Sequence, residues 1–182
     1  MKIIIEKQEI EITAEQATKL KEFLNMPCKR LSEVEDGAVF KIGDMEFIKL
    51  FNDNGNVAVV MKDCVFDSTF GDDNNAKTSY IQKRLENGIL PKIIAAVGEE
   101  NVYEFETDLT TLDGLTHLGS MRSKISLPTF DCYRRNRAMF ERYKLDGWWW
   151  LATANGKDYI VCVSPSGDFD FSDCGYGIGV RP

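Results

Sequence analysis

Histidine is almost missing from this chain: His117 is the single example, and the five cysteines (Cys28, Cys64, Cys132, Cys162, Cys174) never come closer than twelve positions. A zinc site needs several imidazole or thiolate ligands at set spacing, so no metal is expected, and the cysteines read as buried reduced thiols. No glycine-rich phosphate loop, nucleophile elbow, His-Glu-x-x-His or redox dithiol occurs, which leaves an enzyme and a bound cofactor without sequence support. Also missing is an apolar run of the roughly 18 residues that span a bilayer, and Met1-Lys2-Ile3-Ile4-Ile5-Glu6 breaks off too early for a signal peptide. The expectation is a cytoplasmic protein with no membrane partner.

Charge is present, but unevenly. The 182 residues carry a net −7. Positions 121–144 hold seven basic residues (Arg122, Lys124, Arg134, Arg135, Arg137, Arg142, Lys144) against Asp131 and Glu141, a local +5 that leaves −12 for the remainder. Most of the surface should repel anions, and one stretch can hold phosphate or carboxylate.

In chain order, alternation at Ile3, Ile5, Ile10 and Ile12 around Lys7-Gln8 predicts a short hairpin. Thr13-x-x-Gln16 is a capping box for a helix with Ala17, Leu20, Phe23 and Leu24 on one face, ending before Pro27. Residues 1–30 thus form an N-terminal hairpin and helix, and 31–182 the main domain. Residues 38–42, 45–51 and 57–61, joined by Gly43-Asp44 and Asn52-Asp53-Asn54-Gly55, predict an antiparallel meander. Phe66 to Asn75 reads as an exposed loop; Asp63, Asp67, Asp72 and Asp73 lack the order of a calcium-binding loop. Thr78-Ser79 should open a helix that Gly88 ends, and Pro91 a second one that Gly98 stops. Val102 to Leu109 alternates as a strand with Glu104, Glu106 and Asp108 on its outer face, His117 sits in a loop, and 122–126 reads as a further strand.

A helix from about Phe130 then interleaves Arg134, Arg135, Arg137 and Arg142 with Tyr133, Phe140 and Tyr143. Such a pattern binds nucleic acid by phosphate neutralisation and stacking, or tucks its aromatics inward and solvates its arginines. The overall acidity favours the second reading.

The chain closes with Trp148-Trp149-Trp150-Leu151, a strand over 159–163, a turn at Ser164-Pro165-Ser166-Gly167, Asp168-Phe169-Asp170-Phe171 with phenylalanines expected inward and aspartates outward, and Gly179-Val180-Arg181-Pro182. The three tryptophans should build the core, and Arg181 should be a buried or half-buried guanidinium holding the last strand by an ion pair or carbonyl contacts. The order W-W-L, apolar strand, Ser-Gly turn and G-V-R-P resembles a domain of unknown function found in gut Firmicutes and their phages. Ala152-Thr153-Ala154 stand where that family often has Arg-Ser-Pro. Gly37 to Phe51 is similar to its opening hairpin, and Ser79 to Asn87 to its helix. W-W-L and a terminal G-V-R also occur in C-type-lectin-like folds, so the resemblance implies an α+β fold: antiparallel meanders, a few short helices and a C-type-lectin-like core.

By length, solitary domain and acidity the whole chain also resembles phage-borne anti-CRISPR proteins. That likeness implies an inhibitor of a type II CRISPR effector nuclease, free or with its guide RNA, in the bacterial host cell. Asp72, Asp73, Glu104, Glu106, Asp168 and Asp170 are then the candidate partner-binding residues, and Arg134, Arg135 and Arg137 the candidates for touching nucleic acid. The alternative is a lectin-like module binding carbohydrate or a cell surface. A copper oxidase or formylglycine-generating type of enzyme would need a poised cysteine pair, for which Cys162 and Cys174 come nearest without a neighbouring activator.

Overall fold

The computed structural model describes residues 2–5, 8–11, 13–16, 18–19 and 30–182. The chain divides into two units, residues 1–34 and 35–182. In the first, β1 (Lys2–Ile5) pairs antiparallel with β2 (Gln8–Glu11), Ile3 opposite Ile10, so Gln8 belongs to a strand rather than to the turn. The capping box forms: the Thr13 amide donates to Gln16 Oε1 at 2.9 Å and the Gln16 amide to Thr13 Oγ1 at 3.2 Å, with helical residues following. Ala17, Leu20, Phe23, Leu24, Pro27 and Cys28 lie outside the described residues. A 3₁₀ turn covers Leu31–Glu33.

The larger unit is α+β. Its meander runs β3 (Val39–Ile42), β4 (Met45–Asp53) and β5 (Asn56–Met61), in that order and antiparallel. The turn between β4 and β5 holds Asn54 at φ 48° and Gly55 at φ 86°, the two left-handed residues that match the twist of a tight hairpin.

The second sheet is built from distant segments: β6 (Phe66–Ser68), β9 (Trp149–Asn155), β10 (Tyr159–Val163), β11 (Phe169–Asp173) and β12 (Ile178–Val180), ordered β11-β10-β9-β12-β6. All neighbours are antiparallel except β12 and β9, which run parallel with Gly179 beside Trp149. Successive side chains of a strand point to opposite faces. Trp150, Ala152, Ala154, Ile160 and Cys162 therefore pack on one side with Phe70, Ile81, Leu85, Leu109 and Met121. Trp149, Leu151, Val161 and Val163 pack on the other with Ile48, Leu50, Val60, Tyr133 and Phe140. Both faces are covered, which is why β9 reads as a continuous apolar run. Two tryptophans anchor these cores; the third, Trp148, stays partly exposed.

Three further expectations change. Phe66 to Asn75 is not an exposed loop: Phe66–Ser68 is the sheet-edge strand β6, and Phe70 and Asn74 are buried. Gly88 does not end a helix. Ser79 caps α1 (Tyr80–Arg84), its Oγ accepting the Gln82 amide at 3.0 Å, and the helix continues through a π turn (Leu85–Ile89) into α2 (Leu90–Val97) before Gly98 stops it at φ 85°. Pro91 has no N–H to donate and would clash with a carbonyl four residues back, so the wider turn around Gly88 relieves both problems. The basic segment is likewise not one helix but α3 (Phe130–Arg135) and α4 (Arg137–Arg142), broken at Asn136, whose side-chain amide donates to the Cys132 carbonyl at 2.9 Å. In sequence between α2 and α3, β7 (Phe105–Asp108) and β8 (Ser120–Ser123) form an antiparallel ribbon; β8 ends short of residue 126.

Candidate functional site

Two depressions flank the turn that links β11 to β12. The first is an open cleft of about 420 Å³ lined by Gly71, Asp72, Asp73, Asn74, Lys157, Asp158, Asp173, Cys174 and Gly175. Buried Asn74 fixes its walls by donating from its side-chain amide to the Gly156 carbonyl at 3.2 Å and the Tyr159 carbonyl at 3.4 Å, tying the 71–75 segment to the β9–β10 turn. The Phe70 amide donates to the Cys174 carbonyl at 2.8 Å and closes the third side. Asp73 Oδ1 accepts from the Asn75 amide at 3.0 Å and from Thr78 Oγ1 at 3.3 Å, while Asp72 accepts from the Tyr80 hydroxyl. That bond to Asp72 raises the Tyr80 phenol above its ordinary range. Four aspartates thus surround the cleft, and among the described residues Lys157 is the sole cation lining it.

The second depression, a groove of about 270 Å³, is lined by Trp148, Cys162, Asp170, Phe171, Ser172, Tyr176 and Ile178. Because Asp170 pairs with Cys162 across β10 and β11, its carboxylate shares the sheet face that carries Trp150. Asp170 Oδ1 accepts the Phe171 amide at 2.8 Å, which fixes the carboxylate's orientation.

The remaining sequence candidates sit elsewhere. Glu104, just before β7, pairs with Arg122 at 2.9 Å, and Glu106 accepts from the Ser120 hydroxyl, both on the exposed side of the β7–β8 ribbon. Asp168 accepts from Ser166 Oγ at 2.9 Å and lies 3.7 Å from Arg137 Nη2. The acidic candidates therefore divide: Asp72 and Asp73 line the cleft, Asp170 lines the groove, and Glu104, Glu106 and Asp168 line neither. Among the arginines, Arg134 pairs with Asp131 at 2.9 Å and Arg137 with Glu141 at 2.7 Å. Arg135 is exposed and has no ion pair among the described residues. Tyr133 and Phe140 are buried, and the half-buried Tyr143 donates its hydroxyl to the Gly37 carbonyl at 2.9 Å, so these rings are not open for base stacking.

Trp148, Tyr176, Asp158 and Asp173 escaped sequence reasoning. Exposed aromatics beside a glycine-rich turn were the available signal, but nothing local marked Trp148 as the outward member of three consecutive tryptophans. The strict alternation Asp168-Phe169-Asp170-Phe171 also misled. Phe169 and Phe171 are 42% and 41% exposed, because β11 is the edge of the sheet; Phe130 reaches over it, 4.7 Å from Phe169 ring to ring.

Burial pushes the thiols of Cys64, Cys132, Cys162 and Cys174 up to about 11, so they stay protonated and weakly nucleophilic near neutral pH. His117 lies on an exposed loop. Among the described residues no group of three or more His, Cys, Asp or Glu side chains is placed to hold a metal ion, and no helix is long and apolar enough to cross a membrane. Comparison with protein-family models, with curated proteins and with solved structures finds no match to this chain.

Proposed function

We propose that the protein is an inhibitor that binds a type II CRISPR effector nuclease in the bacterial cytoplasm and blocks its engagement or cleavage of DNA. The observation that carries this reading is the cleft in which Asp72, Asp73, Asp158 and Asp173 stand around Lys157. Nucleases of that class hold a guide–target heteroduplex in a positively charged channel and read a short flanking motif with arginines. A fixed cluster of carboxylates on an acidic protein is complementary to both features. Of the three candidate arginines, Arg135 is exposed and without an ion pair among the described residues, and it is the one we assign to bound guide RNA or DNA.

The test is gel filtration and DNA cleavage with a purified type II nuclease, with and without guide RNA, at two salt concentrations. Co-elution and lost cleavage, both weakened by salt, are expected, and D72K/D158K should abolish them while leaving the fold intact. No complex and full cleavage would remove the reading for that nuclease.

The exposed rings of Trp148 and Tyr176 favour a second reading, a carbohydrate- or surface-binding module, since a pyranose can stack on such faces. Binding on a glycan array that W148A eliminates would establish it.

A further inference from the structure

The groove beside the acidic cleft combines a tryptophan and a tyrosine with a carboxylate and no cation. Trp148 is 40% exposed and Tyr176 65%, unusual values for large aromatic residues lining one depression. None of the lining residues is Lys or Arg. The turn that supplies Tyr176 also supplies Asp173 and Gly175 to the cleft next door, so the rings open beside four further carboxylates. The chain as a whole carries −7. Aromatic faces attract cations through the ring quadrupole, and a neighbouring carboxylate adds direct charge attraction. A saccharide needs a dense set of donors as well as acceptors, and here the side-chain donors are the Trp148 indole N–H, the Ser172 and Tyr176 hydroxyls and the Cys162 thiol, with Asp170 as the one carboxylate. That thiol already donates to the Asp170 carbonyl at 3.5 Å. A metal ion would find one carboxylate where six or more oxygen ligands are wanted.

We infer that this groove is a receptor for a single basic side chain, an arginine before a lysine, presented by a positively charged partner protein. The planar guanidinium stacks against the Trp148 indole and Tyr176 ring and donates to the free oxygen of Asp170, while Ile178 and Cys162 form the floor. Arginine suits the site better because its flat, weakly hydrated cation stacks and donates at once. The inference rests on the nuclease-inhibitor reading for the identity of the partner, since such nucleases expose arginines. It stands without that reading as a statement about the groove.

The experiment uses the full chain, N-acetyl-arginine amide as probe and N-acetyl-citrulline amide as its neutral isostere, followed by NMR at the three indole N–H signals, with W148F assigning the exposed one. The expected result is a saturable shift at Trp148 and none at buried Trp149 and Trp150. The citrulline probe should bind about 2- to 30-fold more weakly, with a loss of the same size for D170N and for Y176A, and salt should weaken the arginine probe alone. Equal binding of both probes, an unchanged affinity in D170N, or a shift produced by methyl glucoside and not by the arginine probe would each overturn the proposal. The nuclease assay judges the inhibitor reading separately: arginine binding with no nuclease complex would leave the groove and remove the nuclease as its partner.

Discussion

Replacing Arg181 by methionine should cost little, and replacing it by alanine should cost much. The guanidinium is 1% exposed, lies over the rings of Phe140 and Trp149 at 5.2 and 5.4 Å, and donates from Nε to the Met61 carbonyl at 2.8 Å. Nη2 is buried without a hydrogen-bond partner, and no carboxylate lies within ion-pair distance among the described residues, so the last strand is held by a carbonyl and two rings rather than an ion pair. Desolvation lowers the guanidinium well below its ordinary range, to about 10. A depression of that size corresponds to about 3 kcal/mol against keeping the charge buried. Methionine loses a charged hydrogen bond of about 1.5–3 kcal/mol and ring contacts of about 0.5–2 kcal/mol, and it removes the buried charge. These terms nearly cancel, so R181M should lie within about 2 kcal/mol of the parent. Alanine adds a cavity between two aromatic rings, about 2–4 kcal/mol more. Denaturant melts of the three proteins should place R181M near the parent and R181A well below, with midpoints on heating separated by roughly 5–15 °C. If R181M proves as damaging as R181A, the charge itself is needed and the reasoning fails.

At Gly179 an added Cβ would meet Cys64 Sγ at 2.5 Å and the Trp148 carbonyl oxygen at 2.9 Å, so G179A should destabilise by about 1–3 kcal/mol, and adding C64A should restore only part because the carbonyl remains. The four thiols held near 11 should be alkylated by iodoacetamide at pH 7.5 on the order of 100-fold more slowly in the folded protein than in denaturant; peptide mass mapping reads this, and fast labelling of Cys64, Cys132, Cys162 or Cys174 would contradict their burial. Lys62 Nζ sits 2.7 Å from Glu46 Oε2, lowering the carboxyl and raising the ammonium. The Glu46 contribution to stability is therefore present above its unfolded value near 4.5 and fades as pH falls through its lower folded value. The Lys62 contribution is complete below 10.5 and fades as pH rises through its higher folded value. An NMR titration of K62M should move the Glu46 midpoint upward; no movement would remove the pair as the cause.

The meander and the capping box were legible because their signals are local: Asn54-Gly55 dictates the turn between β4 and β5, and Thr13 and Gln16 lie within one helical turn. All three tryptophans were expected in the core; Trp149 and Trp150 are there because layers cover both faces of β9, whereas Trp148 stays exposed. What misled was alternation without a second layer. Asp168 to Phe171 has the pattern of a half-buried strand, and only the sheet order, which leaves β11 at the edge, exposes its phenylalanines. Pro91 and Gly88 each break helices in isolation, but together they permit a π turn in one continuous helix. The site was half visible. Asp72 and Asp73 were picked from a polar run, whereas their companions Asp158, from the β9–β10 turn, and Asp173, from the end of β11, lie more than 80 positions away, and that juxtaposition exists only once the sheet is assembled.

The position of β12 bears on the order in which the chain can fold. The β3–β5 meander closes on neighbours in sequence and can form while synthesis is still under way. The larger sheet must wait for residues 178–180, which insert between β9 and β6, with Val180 paired to Phe66 and Pro182 accepting from the Met61 amide, each across more than 110 positions. Such distant contacts make assembly slow and all-or-none. Until β12 arrives, β6 and β9 present unpaired edges next to apolar faces, the condition in which nascent chains aggregate.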